Sequence, residues 1–507
     1  MEYLNTSFFV SLLVRFWDKL TDLFRGGLFH RVCMGIWSLT QRGLCFGFAR
    51  GGDTADRLWR ESALYKILYW LLELPIRASR WLLGRDTLLS RSFIVSQTLE
   101  FSENRLSLMT GLFMTALLII PQGMWNNMYS LVGCAALILL LILASSRTGQ
   151  GFCLREIGFF PVFFAGTVCL AFVTSQQIGL SFRFFIFGIT CMMAVLVVSA
   201  APKSAAELER IVFCCSVGLA VCSAYAVVQR IVGVEVDKIL TDVTVNAGMP
   251  GRVYSFFENP NSFANILVLF APLMFCMALY APGGLKKLWY LGVFSLCGLA
   301  LIMTYSRGGW LSLAFGLGMV LLALGPRWVP LCVVVGICCI PFLPDSILNR
   351  LLTMFNSGDS SIYTRGYIYT AMGRLIKLYP LFGVGLGATA LKHAIEANCV
   401  YEAEAMFVHG HNIYLQIWGE MGIFGIAAFV GAMAFAIRSG LQMVKIDDPI
   451  LKGVGVGTAC SLCGSLFFGI TDYAWSYPRV MVMFWFVFAF IPACVRLKNT
   501  KEAGMNK

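Results

Sequence analysis

The chain has 507 residues, of which 58% are hydrophobic and 13% charged, and its mean hydropathy is +0.76. That balance excludes a water-soluble domain as the main body of the protein. It also means that the net charge of +12 needs an explanation in membrane topology, and nucleic acid is not expected as a partner.

The N-terminal segment, residues 1–104, mixes basic and acidic residues with Trp17, Trp37, Trp59, Trp70 and Trp81. From Leu58 to Trp70, apolar and charged faces alternate at helical spacing. This predicts amphipathic helices lying on the inner leaflet, with Trp and Arg at headgroup level; a small cytosolic docking segment is the alternative. Arg15, Asp18 and Lys19 interrupt any apolar core that a cleavable signal peptide would need.

Charge then disappears over long intervals: 106–146, 157–182, 184–202, 211–229, 259–285, 288–306, 308–326, 328–344, 421–437, 453–471 and 480–495. A bilayer crossing takes roughly 20 apolar residues. The first interval is long enough for two spans, with a break at Pro121–Asn127, so the pattern predicts about 12 transmembrane helices. The expected fold is all-α and polytopic. Nine helices fall within 105–342, a large loop occupies 343–410, three helices fill 411–496, and 497–507 form a tail.

Basic residues set the orientation. With the N-terminal segment inside, the short inner connections and the tail hold 14 Lys and Arg. The short outer ones hold six: Arg183, Arg230, Lys238, Arg252, Arg307 and Arg479. Both termini are therefore expected in the cytoplasm of a multi-pass cell-membrane protein.

Within the large outer loop, Tyr363, Tyr367, Ile368, Met372, Leu375 and Ile376 form an apolar stripe at helical spacing. A Gly-x-Gly-x-Gly run, Gly383 to Gly387, follows and predicts a tight turn back to the bilayer rather than a phosphate cradle. Residues 388–397 can form a second short helix. Most of the 18 cysteines lie inside apolar runs, where Cys behaves as a small hydrophobe. No metal site is expected: the best case, His409-Gly410-His411, lacks an obvious carboxylate.

Three polar islands stand where helices leave the bilayer on the outer side. One runs from Gly251 through Arg252, Glu258 and Asn259 to Asn261. The second is Tyr305-Ser306-Arg307-Gly308-Gly309. The third is His411-Asn412-Ile413-Tyr414-Leu415-Gln416, with Glu420 one turn further on. Polar groups at such depth are costly and usually functional. The order of these islands, with Arg365 and Pro380–Gly385 in the large loop between the second and third, resembles the O-antigen ligase and polymerase family over roughly 105–496. The stretch Asp472–Arg479 resembles forms common in Gram-positive bacteria. The resemblance implies a multi-span glycosyltransferase architecture of the GT-C-like kind that works without metal or other cofactor. It further implies transfer or polymerisation of a glycan from an undecaprenyl-pyrophosphate carrier onto an acceptor hydroxyl of a glycan or cell-envelope polymer.

The residue chemistry agrees. Arginines can balance the charge growing on a pyrophosphate leaving group, which makes Arg252, Arg307 and Arg365 candidate donor-binding residues. Their competing reading is pairing with Glu258, Asp359 or Asp472. His411 is the candidate base for the acceptor hydroxyl. Asn259, Asn261 and Glu420 are candidate substrate contacts, although both asparagines can simply cap the helix that begins at Pro260. The main alternative function is a transporter or flippase of lipid-linked oligosaccharide. Such proteins place their ionisable groups at mid-bilayer, whereas these cluster at one face.

Overall fold

The computed structural model describes residue 19 and residues 44–505, apart from 85–86, 88, 236–249, 327–328, 343, 353–359 and 399–408. The expectations for Trp17 and Trp37, and for the middle of the large loop around Asp359, therefore fall outside the described residues.

Among the described residues, two helices, α1 (Leu44–Glu61) and α2 (Ala63–Leu83), precede the membrane body and pack onto it. Asp53 takes two hydrogen bonds from Arg438, at 2.6 and 2.9 Å. Asp56 accepts the backbone N–H of Phe159 at 3.1 Å, which caps the next element. Ile76 is fully buried among Leu106, Leu137 and Leu141. The opposite side of α2 leaves Leu64, Ile67, Trp70, Leu71 and Trp81 exposed.

The body continues with α3 (Phe93–Ile119), α4 (Met128–Thr148), α5 (Phe159–Val173), α6 (Ile178–Ala200) and α7 (Ala205–Val232). Next come α8 (Pro260–Tyr280), α9 (Gly284–Met303), α10 (Arg307–Leu324) and α11 (Val329–Cys339). The large loop contributes α12 (Asp345–Leu352), α13 (Ser360–Leu378) and α14 (Ala388–Ala397). The chain ends in α15 (Ile413–Gln442), α16 (Pro449–Phe468), α17 (Pro478–Phe488) and α18 (Phe490–Met505).

Nine stretches among the described residues are long and apolar enough to cross a bilayer: α4, α6 to α10, 413–445, 449–468 and 478–503. The other three expected spans also form helices. α3 carries Glu100, Glu103 and Arg105 in its first half, while α5 and α11 have only 15 and 11 residues. The protein is thus an all-α polytopic membrane protein.

α8 is, after the stretch 478–503, the most enclosed of the nine stretches and lies against α16. Small residues let the two backbones approach. The Cβ absent at Gly457 would stand 2.8 Å from the Leu273 Cα, and that of Gly464 would stand 3.0 Å from a Val268 methyl.

The Gly-x-Gly-x-Gly run makes a re-entrant turn, as its composition suggests. Helix α15 breaks at Gly422, with φ 66° and ψ −165°, and the loop segment 380–385 fills the break. Val384 N–H donates to Gly419 O at 3.0 Å, Gly385 N–H to Glu420 O at 3.1 Å, and Ile423 N–H to Pro380 O at 2.9 Å. Lost helical hydrogen bonds are replaced by bonds to a second segment, which is how broken backbone survives at membrane depth. The Cβ of an alanine at Gly422 would lie 2.0 Å from Leu381 O. Gly422→Ala is expected to lower the melting temperature in detergent sharply, while Gly318→Ala, whose Cβ meets nothing within 4 Å, leaves it nearly unchanged. Equal melting of the two variants would show that the break is not structurally required.

Candidate active site

Three helices begin at the same membrane face, and each polar island is the cap of one of them. Asn259 Oδ1 accepts from the backbone N–H of Asn261 at 2.8 Å and Ser262 at 3.1 Å, with Pro260 opening α8. Ser306 Oγ accepts from Gly309 N–H and starts α10 at Arg307. Asn412 Oδ1 accepts from Tyr414 and Leu415 N–H at 2.9 and 3.0 Å and starts α15. The positive ends of three helix dipoles therefore point to one region.

The backbone around the caps is strained. Among the described residues, four other than glycine have positive φ: Ser255 (53°), Glu258 (56°), Tyr305 (52°) and His411 (44°). All four stand in the three islands. Such conformations cost of order 1 kcal/mol or more each and persist only where surrounding structure enforces them. The enforcement is visible around the first island. Gln229 Oε1 accepts from Tyr254 and Ser255 N–H, and Arg479 holds Phe256 O at 2.8 Å and also Ile120 O. Arg479 is 1% exposed and lies over the Phe257 ring at 4.4 Å, so this arginine is a fastener.

Four arginines converge on this face. The buried Arg252 donates from Nε to Thr304 O at 2.9 Å and from Nη2 to Asn261 Oδ1 at 2.6 Å. It feels the charges of Arg350, Asp472, Arg307 and Arg365. Burial first, and then the Arg350 charge, lower its pKa to about 9, so it keeps its charge at neutral pH. Arg350, on α12, is buried and donates to Tyr305 O at 3.3 Å. Sequence reasoning missed it because it sits in the long loop left out of the charge tally. Arg365 and Tyr369 lie one turn apart on α13. The Tyr369 hydroxyl is 3.0 Å from His411 O and 3.2 Å from Ile470 O, which docks the loop helix onto the site. Asn261 thus positions an arginine, and Asn259 is a cap.

The histidines form a compact group with a partner that sequence reasoning did not assign to them. His411 Nδ1 lies 3.3 Å from Asp472 Oδ1, 61 residues further along the chain. That oxygen also accepts Tyr473 N–H at 2.8 Å. A carboxylate only accepts, so the shared hydrogen belongs to Nδ1 and the Nε2 lone pair is left available. Burial by itself would raise the Asp472 carboxyl, but the hydrogen bond from His411 and the charges of His409, His411 and Arg365 hold it well below the usual carboxylate range. His409 packs at a tilt against both neighbours, 4.1 Å from the His411 ring and 5.8 Å from that of Tyr473, and its Nδ1 accepts the His411 backbone N–H at 3.2 Å. Asp472 also corrects the expectation that His409 and His411 lack a carboxylate. The three side chains offer ligand atoms within 4.8 Å of one another, a grouping able to take a metal ion. Glu420 lies deeper, buried, accepting from Gln416 Nε2 at 2.6 Å and from Gly387 N–H. It ties the re-entrant turn to α15 and does not face the arginines.

Burial, with the His411 charge added, lowers the pKa of His409 to about 4. An unfolded histidine titrates near ~6.5, so between about pH 6.5 and 4 the unfolded chain binds more protons and stability falls as pH falls. The melting temperature in detergent is expected to drop across that window, and His409→Gln is expected to remove much of the drop. An unchanged profile in the variant would place the effect elsewhere.

A multi-span helical membrane protein with four arginines and a His–Asp pair at one face is the class that these features define. Residues 291–430 match the family described as O-antigen ligase. Over those residues the chain resembles the O-antigen ligase and polymerase proteins. The match contains Arg307, Arg350, Arg365, His411 and Glu420; Arg252 and Asp472 lie outside it. The match supports membrane glycan ligase or polymerase activity in polysaccharide biosynthesis. No curated protein matches the sequence.

Proposed function

We propose that the protein transfers or polymerises a glycan from an undecaprenyl-pyrophosphate carrier onto an acceptor hydroxyl at the outer face of the cell membrane, with both termini in the cytoplasm. The observation that carries this reading is the convergence of Arg252, Arg307, Arg350 and Arg365 on the His411–Asp472 pair. So much positive charge beside three helix N-termini favours a multiply charged anion, and a pyrophosphate has the required charge and oxygen count.

In the reaction, Nε2 of His411 takes the proton of the acceptor hydroxyl as its oxygen bonds to the anomeric carbon. The bond from that carbon to the carrier pyrophosphate breaks, and its electron pair stays on the pyrophosphate oxygen. The arginines balance this negative charge, and Asp472 stabilises the imidazolium that forms. Arginine charge takes the place that a divalent cation holds in other transferases, so the proposed enzyme is metal-independent. A flippase would need its charged groups along a path through the membrane. Here the assembled groups lie at one end of the helices.

With purified protein and a lipid-pyrophosphate glycan, Arg307→Ala and Arg252→Ala are each expected to cut transfer by roughly 10² or more, with little rescue by lysine. Near-normal turnover in Arg307→Ala would refute the assignment. His411→Ala should lose about 10² or more while still binding the donor, and should abolish the acidic limb of the pH–rate profile. Asp472→Asn keeps the shape but inverts the imidazole's hydrogen-bond partner, with an expected loss of roughly 10²–10⁴. A His411→Ala variant that loses donor affinity but keeps the limb would make His411 a leaving-group contact.

Metal dependence has its own test, because His409, His411 and Asp472 could ligate an ion. Transfer is expected to survive exhaustive chelation unchanged. Loss of activity that a divalent cation restores would turn the same three residues into a metal centre.

A further inference from the structure

At the membrane face opposite the arginines, α2 does not close tightly on the body. A cavity of about 250 Å³ lies between Leu68 and Leu72 of α2 and the side chains of α5, α6 and α17, including Phe164, Met192 and Trp485. The lining is apolar apart from the Trp485 indole N–H and the Cys191 thiol, one donor and one weak donor. Water needs two to four polar partners to occupy such a space, so this one does not hydrate. An engineered cavity of about 150 Å³ takes up benzene, so this volume suits a chain segment of about ten carbons.

The surroundings indicate the source of that chain. The exposed face of α2 carries Leu64, Ile67, Trp70, Leu71 and Trp81, a surface that belongs at the headgroup boundary. Beside the cavity, Leu154 is a lining residue and the exposed Arg155 follows it. Arg155 acts electrostatically on Tyr65, one turn before Leu68, and Lys66 is exposed next to that tyrosine. Glu156 is also within electrostatic reach of Tyr65, so the mouth is basic but not uniformly so.

We infer that this cavity seats one acyl chain of an anionic phospholipid from that leaflet, wedged between α2 and the membrane body, with its headgroup beside Arg155 and Lys66. The seat joins α2 to α5, α6 and α17, so the lipid completes the packing of the N-terminal helices. It is separate from the glycan-transfer reading and does not depend on it.

The test uses the full-length protein in nanodiscs containing an anionic phospholipid with a diazirine near the end of one acyl chain. Irradiation followed by peptide mapping is expected to label 63–83 and 159–200. Ala165→Phe fills the cavity from α5, and Leu72→Trp fills it from α2. Each should cut labelling of these peptides about tenfold while labelling of the lipid-exposed helix 284–303 persists. Arg155→Glu with Lys66→Glu should shift the preference from anionic towards zwitterionic lipid. Undiminished labelling in both filled variants sinks the seat, and preference unchanged by the charge reversals sinks the headgroup assignment. If a diazirine-bearing polyprenyl phosphate labels the same peptides and excess phospholipid does not displace it, the occupant is a carrier tail and the proposal is wrong. Two filling variants from opposite walls guard against one that merely misfolds, and a melting curve in detergent identifies such a case.

Discussion

The constraint on which the structure depends is the cost of gathering like charges at the edge of a low-dielectric medium. Arg252, Arg307, Arg350 and Arg365 repel one another, and Arg252 is buried as well. Nothing in an apolar helical body favours such a cluster on its own account. It survives because three helix N-terminal caps, two short loop helices and a buried carboxylate are built around it. Asp472 answers part of the charge, and Thr304 O and Asn261 Oδ1 hold the Arg252 guanidinium in place.

The same constraint accounts for the re-entrant turn. A loop helix that carries Arg365 and Tyr369 over the site has to be tethered at its far end. The tether is the 380–387 segment, locked into the break of α15 at Gly422. Glu420 was expected to meet substrate. Its buried carboxylate accepts from Gln416 on its own helix and from Gly387 N–H, so it holds the last residue of the tether to α15. A carboxylate buried at that depth needs such partners.

Legibility in the sequence followed from the kind of constraint involved. The helices were readable because a bilayer forbids charge along a span, and every charge-free interval became a helix. Lengths were less readable: interval 157–182 breaks at 174–177, because Ser175 and Gln176 there serve the re-entrant turn, Gln176 N–H donating to Val384 O at 3.1 Å. Arg252, Arg307 and His411 were readable as polar groups in places where polarity is expensive. Arg350 was not, because a long loop hides one arginine among ordinary surface charges. The role of Asp472 was hidden for a different reason. It was noticed as a possible arginine partner, but no local pattern shows that the loop between α16 and α17 returns beside a histidine 61 residues earlier.

Strain links the geometry to the chemistry. His411, Tyr305, Ser255 and Glu258 adopt backbone conformations that side chains normally avoid, and each stands within three residues of a candidate arginine, a helix cap or the His–Asp pair. Capping by Asn412 fixes where α15 begins, and a positive φ at His411 turns the chain one residue earlier, towards Asp472. A histidine on a relaxed helix turn would be free to choose among rotamers and partners. Here the backbone makes that choice before any substrate arrives, so less ordering is left to the moment of reaction. The glycines of the body do the opposite work, letting α8 and α16 pack closely enough that the strained rim has a rigid floor beneath it.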